Sequence, residues 1–123
     1  MDKLFTILGS AFMFLGVGAG AFGAHGLSNY LTKYDLMGTW ETAVRYHIYH
    51  ALALFIAAWA VDKWGGPLPT WAGYLFTTGI ILFSGSLYLL VATRANWLGA
   101  ITPLGGFAFL AGWALILLIA WKN

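Results

Sequence analysis

Charged residues punctuate this chain so sparsely that four apolar runs stand out: Leu4–Thr32, Tyr46–Val61, Trp64–Thr93 and Ala95–Trp121 hold no Asp, Glu, Lys or Arg. A helix crosses the hydrocarbon core of a bilayer with roughly 20 mostly apolar residues, and each run contains or abuts such a stretch. The pattern predicts four spans, at about Leu4–Ala24, Thr39–Val61, Trp71–Thr93 and Thr102–Trp121. Between the first two spans, Leu27, Leu31 and Tyr34 fall at i, i+4 and i+7 behind Ser28, which predicts a turn or two of interfacial helix. Asp62–Pro69 and Arg94–Trp97 read as the two short turns. The predicted fold is all-α: a single four-helix transmembrane bundle over residues 1–123, with a short interfacial segment between helices 1 and 2.

Small residues indicate how these helices pack. At 100° per residue, Gly9, Gly16, Gly20 and Gly23 lie within about 60° of one another on the first span, a face that lets a second backbone approach closely. Gly73, Thr77 and Ser84 form a comparable face on the third span, as do Gly105, Ala108 and Gly112 on the fourth. Pro103 sits at the start of the fourth helix, where its missing N–H is harmless. Trp40, Trp59, Trp64, Trp71, Trp97 and Trp121 fall near predicted helix ends, as interfacial anchors do.

Composition agrees with the pattern: 61% of residues are hydrophobic and the mean hydropathy is +0.80. Six scattered basic residues and a net charge of +2 provide no patch for nucleic acid. The chain has no cysteine, which removes thiolate ligands and thiol chemistry. Leu4–Ala24 follows Lys3 and ends in small residues, like a secretory signal, but at about 21 residues it exceeds the roughly 7–15 of a signal core and fits a retained span. Lys3, Lys63 and Lys122 fall on one predicted side and Lys33, Arg45 and Arg94 on the other, so the positive-inside rule leaves the orientation open.

The candidate chemistry gathers near the end of the first helix and the start of the second. Glu41 and Arg45 are spaced i, i+4, as an ion pair would be, and an ionisable residue within a span usually faces protein and has a purpose. His25, Tyr46 and His50 complete a candidate ligand-binding set with Glu41 and Arg45. His47 and His50 are three residues apart, but no third ligand shares their face and the His-Glu-x-x-His pattern is absent, so no metal site is assigned. The expectation is therefore no cofactor, with a haem between His25 and His50 as the alternative. Gly16–Ala21 approaches a dinucleotide fingerprint without the strand that would have to precede it, and is rejected.

Four segments together resemble one family. Gly20-Ala21-Phe22-Gly23-Ala24-His25-Gly26-Leu27, Arg45–Ala53, Leu82-Phe83-Ser84-Gly85-Ser86-Leu87-Tyr88, and Thr102–Gly106 with Leu110–Ala114 are similar to the domain of unknown function 423 family, which includes transmembrane protein 256. The resemblance covers nearly the whole chain. It implies a small four-helix protein of the bacterial inner membrane and no established activity. It also marks His47 as a departure, since the family more often has a glutamine-like residue there, and this directs attention to His25 and His50.

The leading expectation is a non-enzymatic membrane protein that binds a membrane lipid, a quinone-like molecule or a membrane-protein partner, a second copy included, through the polar cluster. A small transporter or channel is the second reading, weakened because Thr77, Thr78, Ser84 and Ser86 supply nearly all the midspan polarity. A haem-bearing or catalytic membrane subunit is the third.

Overall fold

A computed structural model describes residues 2–123, with the Asp2 side chain outside the description. The elements are α1 (Asp2–Ala24), α2 (Ser28–Lys33), α3 (Met37–Trp64), α4 (Pro67–Gly79), a π-helical segment (Ile80–Ser84), α5 (Gly85–Thr93), a 3₁₀ turn (Asn96–Ala100) and α6 (Thr102–Lys122). The segments α1, α3, α4–π–α5 and the 3₁₀ turn with α6 are 22 to 28 residues long and apolar enough to cross a membrane. The protein is an all-α bundle of four membrane-spanning helices.

Each boundary has a local cause. Gly65 and Gly66, at φ 67° and 75°, take a backbone path that L side chains resist, and Pro67 then opens α4 with its φ already helical. Arg94 ends α5 in the left-handed region. The interfacial helix lies where the spacing of Leu27, Leu31 and Tyr34 placed it: α2 packs its fully buried Leu31 inward, and Tyr30 donates to the Val91 carbonyl at 2.8 Å, tying α2 to α5. Near the other end, Phe5 packs on Gly73 and Tyr74, and Ile119 and Lys122 lie beside Trp64–Pro69, so the first turns of α1 and the end of α6 lie on the side of the α3–α4 turn.

With no hydrophobic drive between helices inside lipid, close packing and hydrogen bonds must hold the bundle. Phenylalanines fill glycine notches: Phe5 opposes Gly73, Phe109 opposes Gly79, Phe76 opposes Gly112, and the Phe83 backbone opposes Gly105. A Cβ at Gly112 would stand 2.6 Å from the Phe76 ring. The predicted glycine faces are therefore contact faces. Gly20 is the loosest of the α1 set, its virtual Cβ 3.4 Å from Val44, whereas Gly23 lies against the Trp40 indole. The π segment has no counterpart in the expected helix 3. It widens the ladder where Ser84 turns to donate to the Ala43 carbonyl of α3 at 2.7 Å.

Candidate functional site

The α1–α3 contact repeats every seven residues. Gly9, Gly16 and Gly23 of α1 meet, respectively, Ala51 with Phe55, His47 with Ile48, and Trp40 of the antiparallel α3. Trp40 donates its indole N–H to the Ala19 carbonyl at 2.9 Å, and His47 Nε2–H donates to the Phe12 carbonyl at 2.7 Å. Both carbonyls lie four residues before a glycine. A helical carbonyl keeps a second lone pair after making its ladder bond, and the absent Cβ at i+4 leaves that lone pair open to a ring from the neighbouring helix. The partners also assign the histidine tautomer: Phe12 offers only an acceptor, so His47 Nδ1 is free to accept from the Tyr88 hydroxyl at 2.8 Å. Tyr88 in turn packs against Trp40, with ring centroids 5.0 Å apart.

These residues form the floor of a cleft. While α1 meets the third span at Phe5, its later turns stand away from the π segment and enclose a cleft of about 420 Å³. Phe12, Leu15 and Ala19 form one wall, Ile80, Ile81, Gly85 and Tyr88 the other, and Trp40 and His47 lie between. The volume falls within the roughly 300–1,000 Å³ usual for small-molecule sites. Every donor on its walls is already used: Trp40 on Ala19, His47 on Phe12, Tyr88 on His47. The lining is otherwise hydrocarbon, at a depth where the surrounding solvent is lipid.

The Leu82–Tyr88 run acquires a residue-by-residue reason. Phe83 packs against Tyr46, Phe109 and Gly105. Ser84 reaches α3, and Ser86 pairs with Thr102 of α6 at 2.6 Å. Gly85 faces the cleft, with no heavy atom within 4 Å of a Cβ built on it, and Tyr88 anchors His47. Thr77 bonds back to Gly73 of its own helix at 2.9 Å. Of the midspan hydroxyls considered for a transport path, Thr77, Ser84 and Ser86 are thus bonded within the bundle, while Thr78 is exposed.

The five residues singled out in the sequence are divided among three places. His25 is exposed in the turn after α1, where Ser28 donates to its carbonyl at 3.1 Å. Glu41 and Arg45, both exposed, line a cleft of about 280 Å³ beside Gly20 and Gly23. The expected pairing between them is absent: among the described residues no ion pair joins them within 4 Å. Tyr46 and His50 lie on a third flank, in a groove of about 460 Å³ with Phe83, Phe109 and Trp113. His25 and His50 do not share a pocket. Since α1 ends opposite the first turn of α3, His50 lies about 18 Å deeper along that helix.

The haem alternative does not fit these histidines. His50 Nδ1–H donates to the Tyr46 carbonyl at 2.8 Å and Nε2 accepts from Trp113 Nε1–H at 3.0 Å, so neither nitrogen offers a lone pair. Its ring stacks on Phe109 with centroids 3.5 Å apart. Among the described residues no three His, Cys, Asp or Glu side chains converge as a metal group would.

The residues that build the cleft floor received other roles in the sequence. Trp40, one of the tryptophans near a predicted helix end, bonds into the α1–α3 seam, whereas Trp71, Trp97 and Trp121 are exposed. His47, set aside as a departure, holds two helices together. The signal that links them is the matching seven-residue spacing of Trp40 and His47 with Gly23 and Gly16 on an antiparallel neighbour.

Fold and lining together define a small four-helix integral membrane protein. The chain belongs to the family described as protein of unknown function (DUF423), whose pattern matches residues 19–106. It is 52% identical to the UPF0382 membrane protein YwdK of Bacillus subtilis over 121 residues, 98% of each chain. It is 46% identical to a UPF0382 membrane protein of Staphylococcus haemolyticus, covering 98% of this chain and 97% of the relative. A third UPF0382 membrane protein, from Staphylococcus aureus, is 45% identical over 120 residues. No solved structure matches the chain. The protein is an integral protein of the bacterial inner membrane, in a family of uncharacterised membrane proteins.

Proposed function

We propose that the protein is non-catalytic and holds the hydrocarbon chain of a membrane lipid in the cleft between α1 and the π-bulged third span. One observation carries this reading: a cleft of about 420 Å³ within the membrane-spanning region, whose wall donors are all paired with protein acceptors. A quinone-like ring needs donors for its carbonyls, and Trp40, His47 and Tyr88 have none to give without breaking the α1–α3 seam. An acyl or isoprenoid chain needs none. For the same reason these side chains lack a free acid or base with which to act on a ligand.

Gly85 provides the test. A Cβ at Gly85 meets nothing within 4 Å, so a leucine there starts in the open space of the cleft. Full-length protein extracted in mild detergent should retain lipid in native mass spectra, and Gly85→Leu should retain several-fold less while melting no lower than the parent. Equal retention by the two proteins would contradict the reading.

A further inference from the structure

The corner where α2 meets the end of α5 carries two cations that share one aromatic ring. The Arg94 guanidinium lies 4.1 Å from the centroid of Tyr34, and the Lys33 ammonium lies 5.3 Å from the same centroid. Both side chains are exposed, and among the described residues neither makes an ion pair within 4 Å, although Asp35 is close in sequence.

The juxtaposition is fixed by the fold. Lys33 ends α2, which is held by buried Leu31 and by the Tyr30 bond to Val91, while Arg94 caps α5 with its own N–H on the Leu90 carbonyl. Two like charges from separate connections are thus held around one ring with no carboxylate paired to either. An anion from outside would be attracted by both charges at once, while the Tyr34 ring keeps each cation beside it.

Position decides which anion. Arg94 lies six residues beyond Tyr88 on the same helix, about 9 Å along its axis. That places the cations at the end of the third span, where the hydrocarbon region gives way to headgroups, between one and two turns beyond the cleft residue Tyr88. Resting on the chain-binding reading above, we propose that Lys33 and Arg94 receive the phosphate of an anionic phospholipid whose acyl chain lies in the cleft. Basic pockets at the ends of transmembrane helices bind such headgroups by charge.

The test reconstitutes the full chain in nanodiscs of phosphatidylcholine mixed with phosphatidylglycerol and counts retained lipids by native mass spectrometry. The parent should be enriched in phosphatidylglycerol over its share of the disc, and Lys33→Gln or Arg94→Gln should each lower that enrichment about five-fold. The double variant should show no headgroup preference. Retention of both lipids by the parent in proportion to the disc overturns the headgroup assignment and leaves the chain reading standing, whereas retention of neither overturns both. Displacement of phosphatidylglycerol by inorganic phosphate at constant ionic strength would mark a free-anion site and overturn the assignment to a lipid.

Discussion

Adding one methyl group at Gly23 tests the ring-on-carbonyl account of the α1–α3 seam. An alanine Cβ there would coincide with the Trp40 indole, at the nitrogen that donates to Ala19. The α1 backbone cannot retreat without opening the Gly16 contact, where a Cβ would stand 3.0 Å from Ile48. Trp40 must therefore swing away and lose its 2.9 Å bond. Overpacking of this kind costs about 1–3 kcal/mol, and an interhelical hydrogen bond in a membrane contributes about 0.6–1.7 kcal/mol. Gly23→Ala should thus destabilise the bundle by about 2–4 kcal/mol, measured by denaturant titration in mixed micelles with helicity as the readout. Gly18→Ala, whose Cβ meets nothing within 4 Å, should be neutral or stabilising by up to about 1 kcal/mol. The two sites are also distinguished by coupling: in a Trp40→Ala background the Gly23→Ala penalty should largely vanish, because the atom it strikes is gone. A Gly23→Ala protein as stable as the parent, or one equally destabilised with and without Trp40, would refute the reasoning.

His47→Gln should remain within about 1 kcal/mol of the parent, since an amide can donate to the Phe12 carbonyl and accept from Tyr88. His47→Leu leaves the Tyr88 hydroxyl without its acceptor and should lose about 1–3 kcal/mol in the same titration; equal stability of the two variants would sink the bridging role. A double-mutant cycle on Glu41→Gln and Arg45→Gln should give a coupling below about 0.5 kcal/mol, as befits exposed residues that make no ion pair. A coupling of several times that size would show that the pair forms in the membrane.

Helix count and placement were legible because each rests on a local property of the chain. Charge-free runs fix the spans, the Gly65-Gly66-Pro67 turn fixes one joint, and the Leu27, Leu31 and Tyr34 spacing locates α2. Glycine periodicity marked the α1 contact face, although not which glycine is tightest, since that depends on the side chain opposite. Grouping His25, Glu41, Arg45, Tyr46 and His50 from their nearness along the chain misjudged depth and angle. His50 is several turns below His25, and Tyr46 and His50 face α6 while Glu41 and Arg45 face the α1 glycines. The cleft was not legible from one chain segment at a time. It arises where α1, α3 and the π segment meet, and Ile80–Ser84 carries no residue pattern that distinguishes it from ordinary helix.

Direct evidence for the occupied cleft would come from phospholipids carrying a diazirine within the acyl chain, photolysed in proteoliposomes and mapped by peptide mass spectrometry. Occupancy of the cleft predicts adducts concentrated on Leu15, Ile81 and Tyr88, well above those on more exposed outer positions such as Phe14, Phe107 and Leu117, and lost in Gly85→Leu. Adducts spread over the outer faces of α1 and α6 in proportion to exposure, unchanged in Gly85→Leu, would show that the cleft holds no lipid chain.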